Sequence, residues 1–369
     1  MLLCPDKIWS DGELLTNMAV ETDGTRVTAL RPRAAGDRGH DEAAAPFLLM
    51  PGCTDIQVNG GGGVMLNSDP TPEGLRRIAE AHARLGSRWI LPTVITDRPE
   101  VTQAAAEAVM ALWPDPNILG LHIEGPHIAP ERRGTHDPAL IRPLDRGTVD
   151  LVARLRAQGI PVLLTLAPER ADRALLAELK ATGCVISAGH TAANTAEVKQ
   201  GLADGISCFT HLYNAMPPMT SREPGPVGVA ITSGAHVGMI ADGIHVSWEM
   251  ARIACAARPR PRRHFLVSDA MATVGGPDHF TLYGQKIHVK DGALVNAEGS
   301  LAGAHIDLVT SLANAHVHIG LPLAEAVAMC TDVPRDVLGL PRQTIAPGTP
   351  LADLICLDQH LALTEMPHG

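Results

Sequence analysis

The chain has 369 residues, of which 45% are hydrophobic and 19% charged, a balance that argues against a disordered chain and suits one large α/β domain with a small appendage. A formal charge of −10 argues against nucleic-acid binding, which needs a basic footprint. A small phosphorylated ligand stays open, since a helix N-terminus or a few local cations can hold one phosphate.

The first thirty residues read as short strands joined by turns, with Asp-Gly as the hairpin signal in "SDGE" and "TDGT". The charged, alanine-rich "RPRAAGDRGHDEAAAP" then reads as an exposed connection. From residue 47 the rhythm becomes apolar strand, loop, amphipathic helix. Eight strand candidates follow: "FLLMPGCTDIQV", "RWILPTVI", "NILGLHIE", "PVLLTLAP", "CVISAGH", "ISCFTHL", "VGMIAD" and "HFLVSDA". Helical patterns such as "PEGLRRIAEAHARLG", "VDLVARLRAQG", "ALLAELKATG" and "TAEVKQGLADG" separate them. This alternation between 47 and 269 predicts a (β/α)₈ TIM-like barrel. A doubly wound open sheet is the alternative, but its first turn would carry G-x-G-x-x-G, which this chain lacks.

After the eighth strand, "FTLYGQKIHVKDGALVNAEGSLAG" predicts a β-hairpin insertion near 280–300, and two helical stretches follow. The tail "QTIAPGTPLADLICLD" returns to strand character and is expected to pair with the N-terminal strands. The expected division is a small β-sandwich domain of 1–46 plus 343–369 and a catalytic barrel of 47–342. The seven cysteines are scattered, with no C-x-x-C pair, so a disulfide framework or zinc ribbon is not expected. Neither a signal peptide nor a bilayer-spanning apolar run is read, and a cytoplasmic location with no membrane partner is expected.

A (β/α)₈ barrel carries its site at the C-terminal ends of the strands. Those ends hold Gln57 and Asn59 (strand one), Glu124 (three), His190 (five), His211 (six) and Asp269 (eight), with His245 just past strand seven. Gln57 and Asn59 are separated by one residue and so share a face of their strand. Glu124, His190 and His211 form a His₂Glu set suited to zinc or another divalent ion, with a position left for water. Such a metal brings the pKa of water towards neutrality, and Asp269 is placed to take the proton and pass it on. Taken singly, a histidine near a strand end is more often a satisfied polar residue than a ligand; it is the convergence of several strands that points to a metal. His122, two residues before Glu124, is a fourth ligand or an inward-facing core histidine, and the second reading is preferred.

The segments "PGCTDIQVNG", "LHIEGPH…RRGTHDP", "SAGHTAAN", "THLYNAMPP", "SREPGP", "IADGIHV" and "LVSDAM" resemble, in order and over nearly the whole chain, N-acetylglucosamine-6-phosphate deacetylases of the amidohydrolase superfamily. The resemblance implies a barrel with a small β-domain and release of acetate from N-acetylglucosamine 6-phosphate. It implies one divalent metal per subunit on Glu124, His190 and His211: zinc first, with iron, cobalt or manganese as alternatives. Many amidohydrolases place His-x-His where this chain has Gln57-x-Asn59, so these amides are expected to order solvent beside the site, or only to tie down the glycine-rich loop 60–63. His136 is expected to polarise the acetyl carbonyl, with Thr135 also facing substrate. The phosphate is expected on the backbone amides of Asn214 and Ala215, on His245, and on Arg222 reaching in from a neighbouring subunit of a homodimer.

The chain departs from the family at His127, Ala304, His305 and Asp307, which puts the sugar wall and acetyl contacts in question. Three other readings remain: an N-acetylgalactosamine 6-phosphate enzyme, a hydrolase of another amide, or a barrel that only binds.

Overall fold

The computed structural model describes residues 1–37, 46–296, 299 and 301–366. Half of the alanine-rich connection, part of the 280–300 insertion and the last three residues of the tail lie outside these.

Eight strands form the predicted barrel: β1 (Cys53–Val58), β2 (Ser87–Ile95), β3 (Leu121–Glu124), β4 (Val162–Leu166), β5 (Val185–Ala188), β6 (Cys208–Phe209), β7 (His236–Met239) and β8 (His264–Leu266). They pair in chain order, each parallel to the next. The ring closes just past β8, where Val58 bridges Ala270 in parallel and Asp269 N donates to Gln57 O at 3.1 Å. These strands are buried almost throughout, which is why several of them read as largely apolar runs.

Outside the strands lie α1 (Pro72–Arg84), α2 (Pro99–Leu112), α3 (Arg146–Ala157), α4 (Arg173–Ala181), α5 (Thr195–Asp204), α6 (Gly225–Thr232), α7 (Trp248–Ala257) and α8 (Leu308–Asn314). Their starts follow local chemistry. Thr71, Asp145, Asp172 and Asn194 accept first-turn N–H groups, and Asn194 forms a capping box with Glu197. Outward-facing Val94, Ile123, Leu164 and Ile186 pack with Val109, Leu155, Leu179 and Val198 of the helices in one core cluster. Each such side chain removed from water contributes roughly 1.5–3 kcal/mol. Among the described residues, no helix is long and apolar enough to cross a membrane.

The expected first strand is in fact two. Leu48–Pro51 pairs with Lys7–Ser10 and Leu354–Leu357 in a five-stranded sheet, whereas β1 joins the barrel. The chain changes sheet at Gly52, where a Cβ would fall 2.0 Å from Arg88 Cγ. On this pairing we propose that the small domain extends to Pro51 and takes in the C-terminal strands, beside a three-stranded sheet of Leu2–Leu3, Met18–Thr22 and Val27–Pro32. The insertion is a three-stranded meander, His279–Leu282, Gln285–Lys290 and Ala293–Val295, instead of a hairpin. Both of its turns carry a residue and a glycine at positive φ (Tyr283-Gly284 and Asp291-Gly292), the backbone that tight two-residue hairpin turns require.

Candidate active site

A cavity of about 220 Å³ opens at the C-terminal end of the barrel. Asn59, Glu124, Thr135, His136, His190, His211, Asn214, Ala215, His245 and Asp269 line it. Gln57 lies directly beneath, buried, and Arg222 is exposed on the loop before α6, outside the lining and with no ion pair or hydrogen bond among the described residues.

Glu124 ends β3, and His190, His211 and Asp269 each follow the last residues of β5, β6 and β8 in left-handed backbone, with φ of 47°, 28° and 50°. For residues with a Cβ such conformations cost on the order of 1–3 kcal/mol each and persist only where the surroundings impose them. They turn three functional side chains inward over the barrel mouth.

His211 Nε2 lies 3.0 Å and His190 Nε2 3.3 Å from Glu124 Oε1, with the two Nε2 atoms 3.0 Å apart. His190 Nδ1 donates to the Arg132 carbonyl at 2.9 Å, which leaves Nε2 as the ring nitrogen turned towards the cluster. His211 Nδ1 is buried without a partner. Three donor atoms about 2.0–2.2 Å from a tetrahedral ion stand roughly 3.3–3.5 Å apart, close to the spacing here. The residues present therefore fit a divalent metal, and they are the described residues whose ligating atoms converge in this way. Burial disfavours charge on Glu124, but His190 and His211 outweigh it and hold the carboxyl well below its ordinary range.

Gln57 Nε2 donates to Glu124 Oε1 at 3.0 Å and to Asp269 Oδ1 at 3.1 Å, one proton to each carboxylate. Asn59 Nδ2 donates to the same Asp269 oxygen at 2.7 Å. The opposite amide orientation would set oxygen against oxygen. The glycine loop is instead tied by backbone, with Gly60 N donating to Ala270 O and Gly63 N to Ala272 O. Burial, then the charge of Glu124, pushes the Asp269 carboxyl up to about 6, against the pull of His211 and the Asn59 amide.

His136 Nδ1 lies 2.6 Å from Thr96 Oγ1, and its ring centre is 4.4 Å from that of His190. Burial, then the neighbouring His190, pushes it down to about 3, so the ring is neutral at neutral pH. Across the cavity, His245 Nδ1–H donates to Asp242 Oδ2 at 2.6 Å, which leaves Nε2 as the ring nitrogen open to the site. The Asn214 N–H closes a turn onto the His211 carbonyl at 3.0 Å, whereas the Ala215 N–H has no acceptor among the described residues.

Sequence reasoning missed Thr96 and Asp242. Thr96 directly follows the last residue of β2, and Asp242 stands three residues before His245 in "ADGIH", a turn signal read there only as a strand end. His122 points both ring nitrogens at threonine hydroxyls and is not part of the metal cluster. The four departures from the family pattern lie off the cavity wall. His127 sits between the Arg142 carbonyl and Thr148 Oγ1, and Asp307 caps α8. His305 Nδ1 lies 2.9 Å from Thr273 Oγ1, and Ala304 N donates to Asp269 O.

Residues 48–367 match the model of the amidohydrolase family. The N-acetylgalactosamine-6-phosphate deacetylase of Shewanella sp. (strain ANA-3) is 38% identical over 362 residues, covering 95% of this chain and 90% of that protein. The N-acetylglucosamine-6-phosphate deacetylase of Haemophilus influenzae is 31% identical, covering 90% and 88%. A variant of the Mycobacterium smegmatis N-acetyl-D-glucosamine-6-phosphate deacetylase, solved in complex with N-acetyl-D-glucosamine-6-phosphate, superposes with a TM-score of 0.88 at 32% identity, covering 99% of this chain and 96% of that one. With this barrel, this ligand cluster and these relatives, the chain belongs to the amidohydrolase family.

Proposed function

We propose that this chain hydrolyses the N-acetyl group of N-acetylglucosamine 6-phosphate, giving glucosamine 6-phosphate and acetate. The observation that carries this is the convergence of Glu124, His190 and His211 within reach of Asp269 in one cavity. The full-length likeness to amino-sugar phosphate deacetylases supports the substrate.

Glu124, His190 and His211 would hold one divalent ion, zinc by the nitrogen-rich donor set, which when bound activates water and polarises the amide carbonyl. Asp269 accepts the proton of the attacking water at the carboxylate oxygen that Gln57 and Asn59 leave free. It then delivers that proton to the amide nitrogen as the C–N bond breaks. A base near its operating pH does both, which is what burial of Asp269 provides. His136, neutral and with Thr96 donating to its Nδ1, carries its proton on Nε2 and offers that N–H as a hydrogen bond to the oxygen on which charge develops. Water is consumed, acetic acid and an amine leave and exchange a proton in solution to give acetate and ammonium, and Asp269 ends unprotonated as it began.

His245, held by Asp242, together with the Ala215 N–H and the Asn214 turn, forms the phosphate end of the cavity. Arg222, exposed and unpaired, completes the charge balance from a neighbouring copy, which makes the working unit a homodimer. The cysteines are all free and buried, which fits a reducing cytoplasm.

A second reading, N-acetylgalactosamine 6-phosphate, is favoured by the 38% identity to the Shewanella enzyme. Amine release from the two sugar phosphates, assayed side by side on zinc-loaded protein, separates the two. Faster turnover of the gluco epimer supports the first reading, and faster turnover of the galacto epimer the second.

A further inference from the structure

The interior of a (β/α)₈ barrel is ordinarily filled by layers of Val, Ile and Leu. Beneath the ligand cluster of this chain the layer is polar. Thr93 of β2, His122 of β3, Thr165 of β4, Ser187 of β5 and Thr210 at the end of β6 are all buried. They touch in one unbroken line. His122 Nδ1 lies 3.1 Å from Thr93 Oγ1, and its Nε2 lies 2.8 Å from Thr165 Oγ1. Thr165 Oγ1 is 2.7 Å from Thr210 Oγ1, which is 2.6 Å from Ser187 Oγ.

One proton direction satisfies the whole line. Ser187 donates to Thr210, Thr210 to Thr165, and Thr165 to His122 Nε2. His122 Nδ1–H then donates to Thr93, whose hydroxyl donates to Leu91 O at 3.3 Å while accepting from Val58 N at 2.9 Å. The belt thus ties β1 to β6.

Stability does not explain it, because replacing both partners of a buried hydrogen bond with apolar groups of the same shape is close to neutral. Directional bonds do fix register and angle, and the belt lies immediately under the groups that need fixing. Glu124 is two residues beyond His122 on β3, and His211 follows Thr210. His190 follows Gly189, where a Cβ would come within 2.8 Å of both Thr165 Cγ2 and Thr210 Cβ, so the belt passes directly over that glycine. Both histidines are held in left-handed backbone, which needs surroundings that over-determine it.

We propose that this belt, centred on His122, is a positioning device that sets Glu124, His190 and His211 at metal-binding distance. The proposal rests on the metal reading of that cluster. No belt residue lines the cavity.

The test is zinc affinity by chelator competition, run with thermal melting of the metal-free proteins, for wild type, Thr210→Val, Thr165→Val, Thr210→Ser and Gly189→Ala. Both valine variants keep shape and lose the hydroxyl; each is expected to bind zinc about 10–100-fold more weakly, with serine restoring affinity to within about threefold. Gly189→Ala, which wedges the belt and keeps its hydroxyls, is expected to weaken zinc in the same way. Wild-type affinity in the folded valine variants would overturn the proposal, whatever their melting temperatures. A wild type that binds no zinc would overturn the cluster assignment itself, and the belt with it.

Discussion

Asn59 Nδ2 donates to Asp269 Oδ1 at 2.7 Å, and Gln57 Nε2 donates to the same oxygen at 3.1 Å. Two neutral amides thus hold one carboxylate oxygen and leave the other for proton transfer. An amide placed between Glu124 and Asp269 also lets two carboxylates sit close in a buried site without either facing the other bare.

Removing one of these donors gives a signed prediction. A hydrogen bond to the charged form favours that form, so losing it raises the pKa of Asp269. For Asn59→Leu, loss of a bond to a charged group, worth about 1.5–3 kcal/mol, is expected to move the acid limb of kcat/KM up by roughly one to two pH units. A pH–rate profile checks it. An unmoved limb with lower activity throughout would mean that Asp269 is not the group titrating.

Asp55 gives a prediction about stability. Its Oδ1 accepts from Gln57 N and Ser268 N, while Oδ2 is buried without a partner. Burial pushes this carboxyl up to about 7. The folded chain therefore holds the Asp55 proton more tightly than the unfolded chain. That contribution is complete below about pH 4, declines as pH rises, and is gone above about pH 7. Asp55→Asn stays neutral throughout, so its melting temperature should fall less between pH 5 and pH 8 than that of wild type. Equal slopes would show that Asp55 does not carry the dependence.

The barrel was legible in the sequence because parallel strands covered on both faces leave continuous apolar runs, and all eight appear where those runs lie. The convergence of Glu124, His190, His211 and Asp269 was legible for a related reason: in this architecture, strand ends meet. What was hidden depends on side chains meeting across the chain. Thr96 reaches His136 across 40 residues and Asp269 reaches Asn59 across 210, distances over which spacing carries no signal. Pro51–Gly52 marks the break, but the split there was missed because periodicity cannot show that the two halves of the run belong to different sheets.

Arg222 tests the phosphate end. Loss of one charge-assisted contact worth about 1.5–3 kcal/mol predicts that Arg222→Ala lowers kcat/KM for the sugar phosphate by roughly 10–100-fold and leaves the unphosphorylated sugar unaffected. Sedimentation of the same variant shows whether the assembly persists. An equal loss on both sugars would place Arg222 outside phosphate recognition.

The central claim is that Glu124, His190 and His211 hold a metal on which deacetylation depends. The most direct measurement is metal content by elemental analysis, with acetate release from N-acetylglucosamine 6-phosphate, for wild type and His211→Asn. The account predicts about one divalent ion per wild-type chain, and for the variant little metal and activity lower by more than about 100-fold. A wild type that turns over substrate with no bound metal, or a metal-free variant as active as wild type, would contradict it.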